Sequence, residues 1–458
     1  MRQSVSAPLR VLEFFAGVGG FRGGLEGFPR LDEARSGQRQ YQVVWSNQFE
    51  PATKRQHASE VYAARWGSEG HSNEDINQVL ASAEKFSQVL ATNADVLVGG
   101  FPCQDYSVAK SASTAAGIEG KKGVLWWAIH ETLRRHLEAG QPIKHVILEN
   151  VDRLLNSPTA CRGRDFAIIL ASLGQLGYAV EWQVVNAADY GFPQRRRRVF
   201  IVAHHNSTGV YKAIAEANVD SSSFQLGEHV PRDLAESVLK AALPWKAKGA
   251  MTAFRLPADP LEAQACYTSL GSGNSRFLTS GVYIKGDVAT LETSALMSDA
   301  TSDQCAHAPL NLGDVVKATD ENRIPAEYFI APEEIDKWSF LKGGKSLKRT
   351  SRTGHEYTYS EGAMSFPDPL NRPARTIITA EGGSAASRFK HVVHASDGRL
   401  RRLLPEELEA LNGFPRGFTA HEGVSDTKRA FFMGNALVTG VVQRIGASLA
   451  AARCERED

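Results

Sequence analysis

Short apolar runs alternate with amphipathic stretches along the first two hundred residues. The runs are rich in Val, Ile and Leu and are bounded by glycine or polar residues, which is typical of strands buried in a sheet. They predict strands at residues 9–15, 42–46, 96–98, 145–148, 179–185 and 199–203. Helices are predicted between them, for example at residues 123–138 and 166–176. This alternation predicts an α/β fold with a mainly parallel sheet that helices cover on both faces.

The alternation stops near His205. From there to Pro369 the chain is rich in Gly, Ser, Thr and Pro, with short strand-like pieces such as 282–284 and 357–359. Helical patterning returns from Arg399 onward. The length of the chain predicts roughly two to three domains, and this change of texture predicts that the second one is irregular. The first spans residues 1–206 and is completed by residues 425–458, and a smaller, irregular domain spans residues 207–424.

The composition narrows the classes of protein that fit. Lys+Arg total 52 and Asp+Glu total 51, so any surface for nucleic acid has to be local rather than global. The sequence has no apolar run as long as a membrane span and no secretory signal pattern, which predicts a cytoplasmic protein without a membrane partner. Its five cysteines are widely spaced and form no CxxC motif. This spacing predicts reduced thiols and neither a disulfide framework nor a metal site.

One cysteine follows a predicted strand directly. Residues 99–104 read GGFPCQ and come after the apolar run 96–98. In open α/β sheets, ligands bind at the carboxyl ends of the strands, so the thiol of Cys103 is well placed for nucleophilic catalysis. The alternative is a buried structural thiol, which is what most free cysteines are.

A glycine-rich loop follows the first predicted strand, where residues 14–21 read FFAGVGGF. Glycines let the backbone turn and approach a ligand, and the next helix offers its N-terminal amides. The loop lacks the pattern of a triphosphate-binding loop. The second strand ends at Gln48-Phe49-Glu50, where either polar residue could hold a ribose and Phe49 could cover a purine. A strand edge with polar ends is the alternative.

These motifs, with others in the same order, resemble the DNA (cytosine-5)-methyltransferase family, which uses S-adenosylmethionine. The additional matches are ENV at residues 149–151, QRRRR at 194–198, the ninth family motif at 371–415 and GNA at 434–436. The resemblance implies methyl transfer from S-adenosylmethionine to C5 of a flipped-out cytosine in a specific double-stranded DNA sequence, leaving S-adenosylhomocysteine. The reaction would pass through a covalent adduct between Cys103 and C6. A restriction-modification or anti-phage system is implied as its setting, with a cognate restriction or defence complex as partner and nucleoid association through DNA.

The resemblance also implies roles for particular residues. The expected catalytic residues are the nucleophile Cys103, the acid Glu149 at cytosine N3, Asn150 behind the nucleophile, and the arginines Arg196 and Arg198, which a strand would place on one face. The residues expected to bind the cofactor are Phe14, Ala16, Gly17, Gly19, Gly20, Gln48, Phe49, Glu50, Asp75, Ile76, Gly100, Pro102, Leu125, Asn435 and Ala436. The residues expected to contact DNA are Gln104, Ser107, Lys342, Lys345, Lys348, Arg349 and Arg352.

Target recognition is expected in the second domain, residues 207–424, on a scaffold formed by the ninth motif. For the basic run that begins at Lys342, a solvated loop is the alternative to phosphate binding. The family usually has glutamate where this chain has Gln48, which leaves open whether Gln48 or Glu50 holds the ribose.

Three other functions fit the sequence less well. The related tRNA cytosine methyltransferases usually have a second proline where this chain has Phe101. A catalytically silent DNA-binding protein does not need an intact Cys103, Glu149 and Arg198. A nicotinamide oxidoreductase would explain the glycine loop but not PCQ together with ENV.

Overall fold

The computed structural model describes residues 7–29, 40–101, 124–217, 237–271, 273–296, 309–350, 354 and 356–456. The chain divides into two compact units. Unit 1 comprises Met1–Tyr190, Arg197–Asp303 and Thr439–Asp458, and unit 2 comprises Gly191–Arg196 and Gln304–Val438.

A ten-stranded sheet organises unit 1. The strands of this unit are β1 (Leu9–Phe14), β2 (Tyr41–Asn47), β3 (His71–Ser72), β4 (Val96–Gly100), β5 (His145–Val151), β6 (Tyr178–Asn186), β7 (Arg197–His205), β8 (Trp245–Ala247), β9 (Thr252–Arg255), β10 (Ser280–Ile284), β11 (Asp287–Leu291) and β12 (Thr293–Ala295). Their order in the large sheet is β3-β2-β1-β4-β5-β7-β6-β10-β11-β9. The first five strands in this order are parallel, and every later neighbour pairs antiparallel.

Helices connect the strands of unit 1. Their bounds are Gly20–Glu26, His57–Trp66, Ile76–Ala81, Ala83–Leu90, Val124–Glu138, Arg164–Gln175, Gly209–Ala217, Val238–Ala242, Pro260–Leu270 and Thr439–Arg456, with 3-10 turns at Asp152–Asn156 and Ala187–Tyr190. Strands β4 and β5 are buried along most of their length. Burial of both faces explains their continuous apolar sequences, because helices cover parallel sheets on both sides. The predicted α/β fold with a large, mostly parallel sheet is confirmed.

The units do not follow the boundary predicted near residue 206. Strand β10 pairs with β6, as in the register pair Tyr283 and Val180, and β11 continues the sheet beyond it. All five residues of β10 are buried. Part of the predicted second domain therefore completes the sheet of unit 1. The sequence could not show this, because a short apolar strand carries no local signal of which strand it will pair with.

Unit 2 is built from short elements. Its strands are β13 (Lys345–Thr350), β14 (Glu356–Glu361), β15 (Val392–His394) and β16 (Leu400–Arg402), and its helices are Leu312–Lys317, Ile335–Lys342, Pro405–Leu411 and Asp426–Asn435, with 3-10 turns at Glu321–Arg323, Ala326–Tyr328 and Pro332–Glu334. Trp338 is fully buried and packs in a cluster with Ile330 and Val392.

The segment Gly191–Arg196 lies in unit 2, although the sequence placed it in the first domain. The side chain of Gln194 is fully buried, and its amide donates to Oδ1 of Asn412 at 2.7 Å and accepts from the N–H of Ile377 at 3.2 Å. The backbone of Ala374 exchanges two 2.8 Å hydrogen bonds with Pro193 and Arg195. The start of the QRRRR motif thus packs against residues 371–415, where the ninth motif is predicted.

A buried ion pair stabilises unit 2. The guanidinium of Arg401 donates to both carboxylate oxygens of Glu407 at 2.8 Å, and both side chains have an exposed fraction of 0%. Glu407 also accepts hydrogen bonds from the backbone of Leu404 and the hydroxyl of Thr319. Such a pair is strong only while both charges are present, because neither has water as an alternative partner.

We predict that Arg401→Met lowers the free energy of unfolding by about 3–5 kcal/mol, because it leaves the Glu407 carboxylate buried without its cation. Arg323→Met is the matched control, since Arg323 forms a largely exposed pair with Asp320 and should change stability little. Urea unfolding of both variants measures the effect. Equal losses in the two variants would contradict the prediction.

Candidate active site

The carboxyl ends of four parallel strands meet at one edge of the unit 1 sheet. Phe14, the last residue of β1, is in register with Asn47 on β2 and Gly99 on β4. Gly100 on β4 is in register with Glu149 on β5. Neighbouring strands lie about 5 Å apart. The sheet therefore brings the glycine loop, the strand end that precedes Cys103 and the ENV motif side by side.

The glycine loop makes a tight turn after Phe14. Phe15, Gly17 and Gly19 all have positive φ angles, of 55°, 56° and 88°. A Cβ built on Gly19 would lie 2.3 Å from Nε1 of Trp66, whereas one built on Gly17 would meet nothing within 4 Å. Gly19 is therefore needed for packing, and Gly17 borders open space where a ligand can approach the backbone.

Gln48 stabilises the glycine loop. Its side chain is buried, and its Oε1 accepts a hydrogen bond from the N–H of Gly17 at 2.7 Å. The Ala16 N–H donates to the carbonyl of Asn47 at 2.9 Å, so the loop is tied to the end of β2 at two points. Ala16 is buried, and Gly20 begins the helix that follows the loop.

The two residues after Gln48 remain accessible. The Phe49 ring is 37% exposed, and Glu50 is half-buried. Gln56 fixes the backbone at Glu50, accepting from its N–H at 2.7 Å and donating to its carbonyl at 2.8 Å. Oε1 of Gln48 is thus engaged by the glycine loop, while Gln56 fixes the backbone that carries the Glu50 carboxylate.

Asp75 and Ile76 lie beyond β3, at the start of a helix. Oδ1 of Asp75 accepts from the N–H of Asn77 at 2.9 Å and so caps the helix Ile76–Ala81. Ile76 is buried, and Leu125 is half-buried in the first turn of another helix. Helix capping is therefore one role of the Asp75 carboxylate that requires no ligand.

Glu149 and Arg198 form an ion pair. Nε of Arg198 lies 2.9 Å from Oε1 of Glu149, and the side chains are 18% and 12% exposed, respectively. A Cβ on Gly100 would lie 3.4 Å from Oε2 of the same carboxylate, so the absence of a side chain there leaves room in front of Glu149. Two predicted site residues from distant parts of the chain are therefore in direct contact.

Asn150 links β5 to the backbone that precedes the nucleophile motif. Its side chain is buried and donates to the carbonyl of Phe101 at 2.7 Å. Phe101 is itself buried, two residues before Cys103. The predicted residues Pro102, Cys103, Gln104 and Ser107 lie outside the described residues.

Arg196 does not share the surroundings of Arg198. Strand β7 begins at Arg197, so Arg196 is not in the strand that was predicted to place both arginines on one face. Arg196 is buried in unit 2, where its guanidinium donates to the carbonyls of Ile377 and Gly434 at 3.3 and 3.0 Å. These contacts favour a structural role for Arg196 over the predicted catalytic one.

Asn435 and Ala436 also belong to unit 2. Asn435 is exposed at the end of the helix Asp426–Asn435, and Ala436 is half-buried after it. The backbone N–H of Ala436 donates to the carbonyl of Phe432 at 2.8 Å. The predicted contacts of Asn435 and Ala436 with the cofactor stay a prediction.

The basic run does not lie on the surface as a whole. Lys342 is 1% exposed, and its Nζ donates to the carbonyl of Lys390 at 2.6 Å and lies 3.5 Å from Oδ2 of Asp368. Burial lowers the pKa of this lysine below 10.5. The expectation that Lys342 contacts DNA is therefore wrong. Its ammonium group is buried beside the Asp368 carboxylate and cannot reach a phosphate on the surface. No local signal in the sequence marks this lysine as buried, because it stands among similar lysines and arginines.

The rest of the run is not a solvated loop where the structure describes it. Lys345 and Lys348 lie in β13, half-buried and exposed, respectively. The side chain of Arg349 and all of Arg352 lie outside what is described. The alternative of a solvated loop is thus wrong for residues 345–350.

Sequence reasoning missed Glu13, which lies behind the glycine loop. Glu13 is fully buried in β1 and accepts hydrogen bonds from the N–H of Arg22 at 3.1 Å and the hydroxyl of Tyr62 at 2.8 Å. Gly19 offers no side chain to cap the helix Gly20–Glu26, and the Glu13 carboxylate takes that role. The available signal was a charged residue within the apolar run Val11-Leu12-Glu13-Phe14.

None of the described helices is long and apolar enough to cross a membrane. Across the described parts of the chain, no group of three or more His, Cys, Asp or Glu side chains could hold a metal ion.

Comparison with known proteins identifies the family. The model of the C-5 cytosine-specific DNA methylase family matches residues 9–451. The chain is 40% identical to Type II methyltransferase M.Sau3AI of Staphylococcus aureus, over 96% of this chain and 94% of that protein. It is 34% identical to Type II methyltransferase M.HpaII of Haemophilus parainfluenzae, over 43% of this chain and 47% of that protein. The chain belongs to the C-5 cytosine-specific DNA methylase family and is a DNA (cytosine-5)-methyltransferase.

A solved structure supports the fold. The crystal structure of the S. pombe Dnmt2 methyltransferase superimposes with a TM-score of 0.52 and 13% sequence identity, covering 97% of this chain and 98% of that one. At this identity the likeness concerns the fold alone.

We predict that Glu13→Gln changes how stability depends on pH. Burial raises the pKa of Glu13 from 4.5 to about 7. Between these values the unfolded chain has released the proton that the folded chain still binds, so the free energy of unfolding falls as the pH rises. Glutamine does not titrate, and the variant should gain roughly 1–3 kcal/mol relative to the parent between pH 5 and pH 8. Urea unfolding at both pH values tests this, and a stability difference that is the same at pH 5 and pH 8 would contradict it.

Proposed function

We propose that the protein transfers a methyl group from S-adenosylmethionine to C5 of a flipped-out cytosine in a specific double-stranded DNA sequence. The observation that carries the proposal is the contact between Glu149 and Arg198 beside the end of β4, three residues before Cys103. A nucleophile, an acid and a fixed cation are the groups that this chemistry needs at one place.

The glycine loop fits the proposed cofactor. Open space beside Gly17 lets the carboxylate or amine of the methionine part approach backbone amides, which cannot occur where a side chain fills the turn. Glu50 would hold the ribose hydroxyls, and the exposed ring of Phe49 would cover the adenine. Asp75, Ile76 and Leu125 would border the adenine, and Pro102 is expected to bind the cofactor as well. When bound, S-adenosylmethionine supplies an activated methyl group.

The cytosine itself has to be made reactive. In the proposed step the thiolate of Cys103, its proton lost to solvent, forms a bond to C6. The C5=C6 electron pair moves to C5, and N3 takes a proton through Glu149. After C5 has gained the methyl group, its hydrogen leaves as a proton to water. The C5=C6 bond re-forms, the bond between sulfur and C6 breaks, and the N3 proton returns through Glu149.

Two polar residues would support these events. Arg198 would hold the Glu149 carboxylate in place and lie near the cytosine O2. Asn150, through the carbonyl of Phe101, would fix the backbone that carries the nucleophile. Because C5 is inside the base stack of a duplex, the target base has to be flipped out of it.

We place sequence recognition in the part of the predicted second domain that belongs to unit 2, residues 304–424. Strands β10 and β11 are built into the sheet of unit 1, which leaves them little freedom to follow a DNA groove. The biological role that fits this activity is protection of DNA within a restriction-modification or anti-phage system, alongside a cognate nuclease or defence complex.

We predict that Cys103→Ala abolishes methyl transfer while DNA binding persists. The alanine variant lacks the thiolate, and the contacts that hold the duplex do not require it. Bisulfite sequencing of plasmid DNA from cells that express either form measures methylation, and a gel-shift assay with purified protein measures binding.

Recurring protected cytosines with the parent chain and none with Cys103→Ala would support the proposal. A duplex with 5-fluorocytosine at the target adds a test of the adduct, because fluorine at C5 cannot leave as a cation and the bond to sulfur should persist. Protection by the alanine variant would contradict the role of Cys103. Modification of RNA but not DNA by the purified parent enzyme would contradict the substrate.

We predict that Arg198→Ala lowers kcat at least about a hundredfold, because Glu149 loses the group that orients it for proton transfer. Arg197→Ala is the matched control, since Arg197 pairs with the half-exposed Asp152 and should change kcat by less than a few fold. Steady-state methylation assays at saturating substrate measure kcat for both variants. Similar losses in both variants would show that the arginine run acts through its total charge instead.

A further inference from the structure

Strands β13 and β14 form a two-stranded ribbon in unit 2. Six register pairs join them, and within the described residues neither strand pairs with another sheet. An isolated two-stranded ribbon is marginally stable in water. The stability of this ribbon therefore has to come from support at its ends or from a binding partner.

One face of the ribbon is exposed and polar throughout. The side chains that alternate onto it come from three cross-strand pairs: Ser346 with Ser360, Lys348 with Thr358, and Thr350 with Glu356. All six residues are exposed. Five of the six carry a hydroxyl or an ammonium group that donates hydrogen bonds. A face of this composition suits a polar partner that presents hydrogen-bond acceptors.

The foot of the ribbon is anchored in the core of unit 2. Lys342, which Gly343 and Gly344 separate from β13, is buried against Asp368 and the carbonyl of Lys390. Met364 follows β14, and its N–H donates a hydrogen bond of 2.8 Å to the carbonyl of Lys342. This bond joins the two ends of the ribbon. The ribbon is therefore clamped at its foot and exposed along one face.

The surroundings of the foot are cationic and apolar. Phe340 is 70% exposed, and Nζ of Lys345 lies 4.7 Å from the centre of its ring. The carboxylate of Glu361, which is in register with Lys345, pairs with Arg388. Its negative charge is thereby compensated, so the foot presents a positive surface beside an exposed ring.

We infer that the ribbon lies in the major groove of the target DNA and that Lys348 and Thr358 read base edges there, an inference that rests on the proposed function. The major groove is about 12 Å wide and admits a two-stranded ribbon. Lysine donates to the guanine acceptors, and threonine contacts either base edges or the thymine methyl group. Lys345, at the foot of the ribbon, would then contact the phosphate backbone.

The experiment uses the full-length enzyme and the variants Lys348→Ala and Thr358→Val. Valine keeps the β-branched shape that favours a strand, so the second variant tests recognition without weakening the ribbon. Lys317→Ala is the control, because Lys317 is an exposed lysine in unit 2 outside the ribbon. Bisulfite sequencing with the parent enzyme defines the target sequence. Methylation rates are then measured on that sequence and on every single-base change of it, at several salt concentrations.

The inference predicts that Lys348→Ala lowers kcat/KM on the target roughly tenfold to hundredfold and relaxes discrimination at one or two base pairs. Thr358→Val should relax discrimination at a neighbouring pair, and Lys317→Ala should change neither. A uniform loss on all sequences, with a shallower salt dependence, would make Lys348 a phosphate contact and overturn base reading. Unchanged discrimination in both ribbon variants would overturn it as well while leaving the proposed function intact. A parent enzyme that methylates no DNA would overturn both.

Discussion

The candidate active site depends on the position of β5 between a parallel and an antiparallel neighbour. On one side, parallel pairing with β4 puts Gly100 beside Glu149. On the other, antiparallel pairing with β7 puts Arg198 opposite Val151, which makes it a diagonal neighbour of Glu149. The ion pair follows from this register. A shift of β7 by one residue would turn Arg198 to the opposite face of the sheet and leave Glu149 without its partner.

Buried polar side chains fix the backbone of both units. In unit 1, Glu13 caps the helix after the glycine loop from behind, and Gln48 holds the same loop from the side. In unit 2, Glu407 neutralises Arg401 and binds the start of its own helix. Each group satisfies backbone N–H donors that no other described side chain reaches. The loops can therefore have irregular backbones, as a binding site requires, and still be held in one conformation.

The candidate site was predictable where its motif is local in the sequence. Three local motifs mark the ends of strands: the glycines before a helix, the cysteine after a strand and ENV at the next strand. The carboxyl ends of parallel strands lie at one edge of the sheet, so these motifs are expected to lie together. Local patterns could not show that Arg196 and Lys342 are buried. Each is one of several similar cations in the sequence, and contacts with residues far away in the chain decide which of them is buried. Arg196 contacts Ile377 and Gly434. Lys342 contacts Asp368 and Lys390. Glu13 was missed because its partners, Arg22 and Tyr62, are met only in the folded chain.

The sequence by itself determined the α/β alternation, the strands that end at the site and the family to which the chain belongs. These features depend on hydrophobic period and on motifs of a few adjacent residues. Only the tertiary structure decided that β10 and β11 extend the sheet of unit 1, that Gly191–Arg196 packs in unit 2 and that the basic run forms one strand of a ribbon. The physical reason is that strand pairing and burial are settled by partners distant in the chain. A short strand or a single lysine has the same local pattern whichever partner it finds.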